Sequence, residues 1–148
     1  MEVIKGEGSY DLIFIRFDPG EGILENINKI IKGKNIKTGI VISGIGSLSV
    51  CRIHGMNAGN PPNLLNRYKE YYEIKGAIEL SSIQGVIADQ KPHLHIVASK
   101  GKEVLTGHME EGCTVFSFAE VVILKTDAIN LIRKMHYPEN IEQLTKLL

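Results

Sequence analysis

The sequence predicts an α+β domain, a mostly antiparallel sheet with one main helix packed on it. Two observations carry that reading. Short apolar stretches with period-two alternation recur between turns marked by Gly and Pro. Only one segment holds apolar residues at clear helical spacing, whereas a doubly wound parallel sheet needs a helix after nearly every strand.

Each element has a local reason. Tyr10 to Phe17 alternates weakly and reads as a strand. Asp18-Pro19 then reads as a helix N-cap followed by Pro at the first helical position. Ile23, Leu24, Ile27, Ile30 and Ile31 form a stripe, and Gly33 is a natural stop, which predicts a helix over Pro19 to Lys32. Gly39 to Ser43 is a short strand leading into Gly44-Ile45-Gly46-Ser47, and Leu48 to Gly55 is another. Asn57 to Asn66 is a loop holding Gly59, Pro61 and Pro62. Arg67 to Ile74 and Ala77 to Ile83 are extended and joined at Gly76, and Gly85 to Ala88 is short. Pro92 to Ser99 and Glu103 to His108 form a hairpin, and Gly112 opens the longest apolar strand, reaching about Leu124. The tail, 125–148, is mixed, with a helical turn expected from Asn140 that carries Ile141, Leu144 and Leu148. No repeat or linker divides the chain, so a single domain over 1–148 with a core of 10–124 is expected.

Bulk properties exclude some roles. Seventeen Lys and Arg balance seventeen Asp and Glu, so no overall field attracts nucleic acid. No apolar run approaches the roughly 20 residues of a membrane span. The N-terminal residues carry no apolar signal core, and two cysteines suggest no disulfide framework, so a cytoplasmic protein is expected.

The most informative segment is the hairpin. His93 and His95 alternate and point to one face. A two-residue turn at Gly101-Lys102, of type II′, puts Ser99 opposite Val104, Val97 opposite Thr106 and His95 opposite His108. Facing positions bring Cβ atoms to about 4.5–5.5 Å, close enough for three imidazoles to share a divalent metal at about 2.0–2.1 Å each. Neutral imidazoles suit zinc first, and three of them leave a fourth position open. A register slip of one residue would turn His108 to the other face.

Several segments, taken in order, resemble the PPC (plants and prokaryotes conserved) domain, also found beside AT-hooks in plant nuclear proteins. They are Arg16-Phe17-Asp18-Pro19-Gly20-Glu21, Ser43-Gly44-Ile45-Gly46-Ser47-Leu48, Glu79-Leu80-Ser81-Ser82-Ile83-Gln84-Gly85, Pro92-His93-Leu94-His95, Thr106-Gly107-His108-Met109 and Ala119-Glu120-Val121-Val122-Ile123. The resemblance implies a compact domain on an antiparallel sheet and a homotrimer. It also implies, as in stand-alone prokaryotic members, metal binding through the hairpin histidines. Thr106 and Val97 depart from the family, which often has Gly-Gly-His and a third alternating histidine there.

The expectation is therefore a trimeric metal-binding protein with His93, His95 and His108 as ligands of a zinc ion beside a small-molecule pocket. Metal-dependent hydrolysis or lyase chemistry would suit an open site. Gly44, Gly46, Ser47, Asn57 and Glu120 are candidate ligand-binding residues. Gly44-Ile45-Gly46-Ser47 lacks the third Gly and the Lys of a nucleotide loop and reads first as a bulge or tight bend. Glu120, in phase with Thr114, Phe116, Phe118 and Val122, is expected to face inward and pair with Arg16 or Arg52. Glu79 has the same two readings, a salt-bridge partner or a base. His54 is expected to pack at a strand end, and Cys113 to be buried rather than a fourth ligand. Tyr68, Tyr71 and Tyr72 mark a sheet surface or subunit interface. Two alternatives stand beside this reading: a DNA-associated protein, opposed by the zero net charge and the missing AT-hook, and an oligomeric scaffold without catalysis.

Overall fold

The computed structural model describes residues 1–147. Among them lie eight strands and one α-helix: β1 Tyr10–Phe17, α1 Ile23–Gly33, β2 Thr38–Asn57, β3 Tyr68–Ala88, β4 Lys91–Lys100, β5 Glu103–Met109, β6 Thr114–Thr126, β7 Leu131–His136 and β8 Ile141–Lys146. The fold is thus mostly antiparallel β, and the expected α+β class does not hold. Two differences produce the change. The expected short strands are continuous, two of them merging into β2 of 20 residues and three into β3 of 21. The tail, expected to hold a helical turn, is the β7–β8 hairpin, with Leu131 opposite Lys146 and His136 opposite Ile141. The spacing of Ile141 and Leu144 suits a helix, but pairing with a neighbouring strand decides the outcome. Leu148 lies outside the described residues.

The helix also starts later than expected. Asp18-Pro19-Gly20-Glu21 is a turn in which the Glu21 N–H donates to the Asp18 carbonyl at 3.2 Å. Pro at the second position and Gly20 at φ +84° match a type II turn. The Gly20 N–H donates to the Val115 carbonyl and the Val115 N–H to the Glu21 carbonyl, at 3.0 and 2.9 Å. Those bonds fasten the turn to β6, and α1 begins only at Ile23, with Gly22 as an N-cap lacking a side-chain bond.

One large sheet runs β1-β6-β2-β3-β4-β5. Its inner face takes α1 through Ile23, Ile27 and Ile31, all fully buried among Val41, Leu48, Ile83, Ile96 and Val121. Each such isoleucine contributes about 1.5–3 kcal/mol of burial. β2 bends at irregularities after Val41, Gly46 and Leu48, so the Gly44–Ser47 segment is a kinked stretch of one strand.

A second contact decides where the functional residues fall. β6 leaves β2 at Val50, and β5 takes over the vacated edge through Ile53 opposite Met109 and His54 opposite His108. Strands β2, β3, β4 and β5 therefore close on themselves at this end. That closure carries the histidine hairpin back to the end of β2.

Candidate metal centre

The hairpin has the expected register: Ser99 faces Val104, Val97 faces Thr106 and His95 faces His108. Gly101 has φ +61° while Lys102 is not among the positive-φ residues, which is the type II′ pattern. On β4, Leu94, Ile96 and Ala98 enter the core, so His93 and His95 stand on the outer face. The ligand nitrogens of His93, His95 and His108 all lie within 4.8 Å of one another.

One donor separation matches that of two ligands on a tetrahedral ion. His93 Nε2 and His95 Nε2 are 3.3 Å apart. Two nitrogens at about 2.0–2.1 Å from one tetrahedral centre are separated by about 3.3–3.4 Å. Burial first, then the neighbouring His54 and His93, push the His108 pKa down to about 4. Burial, followed by Arg133 and the other histidines, also lowers that of His93. Both rings are thus held neutral near pH 7, the form that binds metal.

A fourth histidine belongs to the cluster. His54, 7% exposed, lies across the strand pair from His108 with ring centroids 4.4 Å apart. Its Nδ1 is 2.5 Å from Glu110 Oε1. A carboxylate at that distance fixes the orientation of the ring. His54, His108 and Glu110 also bring their ligand atoms within 4.8 Å of one another. Of the two readings open to His54, packing at a strand end or a role near the site, the second matches its place in this constellation, and the sequence carries no signal for Glu110. Both depend on β5 meeting β2 across more than fifty residues of chain, and no local pattern encodes that meeting. The only hint was a histidine two residues from Arg52 in an otherwise apolar strand.

The β7–β8 hairpin crosses the outer face and turns the patch into a cleft. Arg133, Ile141 and Glu142 line it opposite His93, His95 and His108. Arg67 anchors the turn, donating to the carbonyls of Glu139 at 2.6 Å and of Asn140.

The other candidates lie elsewhere. Gly44 is buried, and a Cβ there would approach Ile83 Cβ to 2.6 Å, so its bareness accommodates a core side chain. Gly46, at φ +146°, would bring a Cβ to 2.4 Å from the Phe118 carbonyl at the kink of β2. Ser47 Oγ bonds Ser117 Oγ at 2.6 Å. Asn57 sits at the end of β2, where its Oδ1 accepts from the Gly59 N–H at 3.1 Å. Glu120 requires a correction: Val115, Ala119 and Val121 face the core, and Glu120 is exposed on the opposite face. Its expected partners are engaged elsewhere, Arg16 with Asp18 and Arg52 with Glu73, each at 3.2 Å. The apolar residues flanking Glu120 misled because both faces of β6 are apolar. Glu79 is exposed on β3 between Ser47 and Ser99. Cys113 is buried, its Sγ bonded to the Arg52 backbone at 3.3 Å, and it joins neither ligand group. Tyr68, Tyr71 and Tyr72 are all exposed. Among the described residues no helix is long and apolar enough to cross a membrane.

Comparison with known proteins bears on the family and the fold. Residues 5–127 match the model of the Plants and Prokaryotes Conserved (PCC) domain. A metal-containing protein from Archaeoglobus fulgidus has the same fold, with TM-score 0.80 and 22% identity over 98% of this chain and 99% of that one. A candidate DNA-binding protein from Bacteroides thetaiotaomicron is similar at TM-score 0.74 and 18% identity, over 93% of this chain and 96% of that one. The bifunctional protein GlmU of Synechococcus sp. strain JA-3-3Ab is 25% identical over 117 residues, 78% of this chain. The aligned stretch is 17% of that relative's length.

Proposed function

Because the chain belongs to the Plants and Prokaryotes Conserved domain family, we propose that it is a divalent-metal-binding protein with His93, His95 and His108 as ligands, zinc as the ion, and a small-ligand pocket beside it. The observation that carries this is the convergence of three imidazoles, those of His93, His95 and His108, whose closest nitrogens are 3.3 Å apart. The Archaeoglobus fulgidus relative, described as metal-containing, supports it. When bound, the ion supplies a Lewis acid, which suits hydrolysis or lyase chemistry. The chain's own part is to hold the ligands rigid. β4 and β5 fix His95 against His108, and the Glu110 carboxylate orients His54 beside them. The β7–β8 hairpin narrows access for solvent.

Trimer formation is part of the same proposal. Leu12, Phe14, Ile40, Ile42, Ile45 and Phe118 leave a broad apolar face on β1, β2 and β6, between 45% and 74% exposed. Apolar faces of this extent mark protein interfaces. A DNA-associated role has the Bacteroides thetaiotaomicron relative in its favour and the balance of seventeen basic against seventeen acidic residues against it.

Metal analysis of tag-free protein tests the reading. Wild type is expected to hold close to one equivalent of zinc per chain, and the His93→Ala/His95→Ala/His108→Ala variant almost none. Equal content in the two proteins would overturn it.

A further inference from the structure

The wall of the cleft carries charges that metal binding does not require. Arg67, Lys69 and Arg133 line it, with Glu142 as the one carboxylate among the described lining residues. The chain as a whole has no net charge, so this is a local concentration of positive groups. Arg67 is committed to structure, donating to the Leu64, Glu139 and Asn140 carbonyls. Arg133 is committed only in part: it donates Nη1 to the Lys91 carbonyl at 3.1 Å and Nη2 to the Val86 carbonyl at 3.0 Å, so three of its five N–H groups have no partner among the described residues. Lys69 makes no hydrogen bond or ion pair among the described residues.

We propose that the cleft receives a small anion bearing a carboxylate or phosphate, gripped by Arg133 of β7 and Lys69 of β3 while its inner end meets the histidine centre. A guanidinium seated on two backbone carbonyls is a fixed donor fork, and forks of that kind favour planar oxyanions. Lys69 adds a second charge from β3. Glu142, diagonal to Arg133 across the β7–β8 pair and on the same cleft wall, opposes the anion and sets an upper limit on its charge. Arg133 and Glu142 belong to the hairpin beyond residue 127, where the family match ends, so this selectivity is a feature of the chain rather than of the matched region. The proposal deepens the metal reading and rests on it for the inner contact only.

Calorimetry with pyruvate, its neutral counterpart pyruvamide, and inorganic phosphate tests it on zinc-loaded and on metal-free protein. Pyruvate or phosphate is expected to bind at least about tenfold tighter than pyruvamide, since charge-assisted bonds are about twice as strong as neutral ones. Lys69→Gln should weaken the anion by about two- to fivefold, the range for an exposed ion pair. Glu142→Gln should tighten it by a similar factor, a gain that a purely structural role for the hairpin would not produce. Both positions are exposed, so neither variant endangers folding, and zinc content is measured on each. Anions binding no tighter than pyruvamide, or Lys69→Gln and Glu142→Gln both without effect, would overturn the proposal. Retention of the anion preference by a protein that takes up no zinc would sink the metal reading and leave this one standing. Zinc uptake without any anion preference would do the reverse.

Discussion

Each histidine of the cluster has its own environment, and substitutions should separate them. His93 and His95 stand on the outer face of β4, His93 partly shielded by the cleft wall, whereas His108 is half-buried between His54 and His93. Replacing His95 with Ala should weaken zinc binding by more than the roughly 10–100-fold that loss of an outer partner costs. Cys113→Ala should leave zinc affinity unchanged, because that thiol faces the backbone of Arg52 inside the core. Competition with a chromophoric chelator measures both. Acid should act on the metal-free protein through His108, whose pKa falls from 6.5 to about 4 on folding because of burial and its imidazole neighbours. The unfolded chain then takes up a proton that the folded chain refuses, so stability is intact above pH 6.5 and declines as pH falls toward 4. Thermal unfolding across that window should show the decline, and His108→Gln should flatten it.

Among elements, the contact between β5 and β2 is the one on which the site depends. Gly107 lies against it, where an added Cβ would stand 2.8 Å from the His54 carbonyl and 2.9 Å from Ile53 Cδ1. Gly107→Ala should push β5 off β2, costing about 1–3 kcal/mol in urea unfolding as overpacking does. It should also weaken zinc binding through His108. Full stability with full affinity would show that the contact tolerates a gap. Sequence reasoning reached the β4–β5 hairpin because turn and alternation are both local, and the pairing of His95 with His108 follows from them. Glu110 and the place of His54 depend on the β2–β5 contact that closes the sheet at this end, which no local pattern reports. Sequence reasoning placed the start of α1 too early because Asp18-Pro19 serves a type II turn as well as a helix cap, and bonds to Val115 choose the turn. It read the tail as helical because isolated apolar spacing cannot report a neighbouring strand.

For the whole molecule, the sheet has two apolar faces with different partners. The inner one is covered by α1, and Ile27→Ala should lose about 2–5 kcal/mol, as expected for a fully buried isoleucine. The outer face of β1, β2 and β6 has no cover among the described residues, and a trimer would supply it. Light scattering should find three chains together in the wild type and single chains in Phe14→Glu/Phe118→Glu with the fold retained. A monomeric wild type would remove the trimer from the account. The account as a whole stands on what the three histidines hold. X-ray absorption at the zinc edge of the loaded, tag-free protein is the most direct measurement of that. Three imidazole nitrogens at about 2.0–2.1 Å with one further light atom are predicted. A sulfur shell near about 2.3 Å, or a zinc spectrum unchanged when His93, His95 and His108 are replaced, would contradict it.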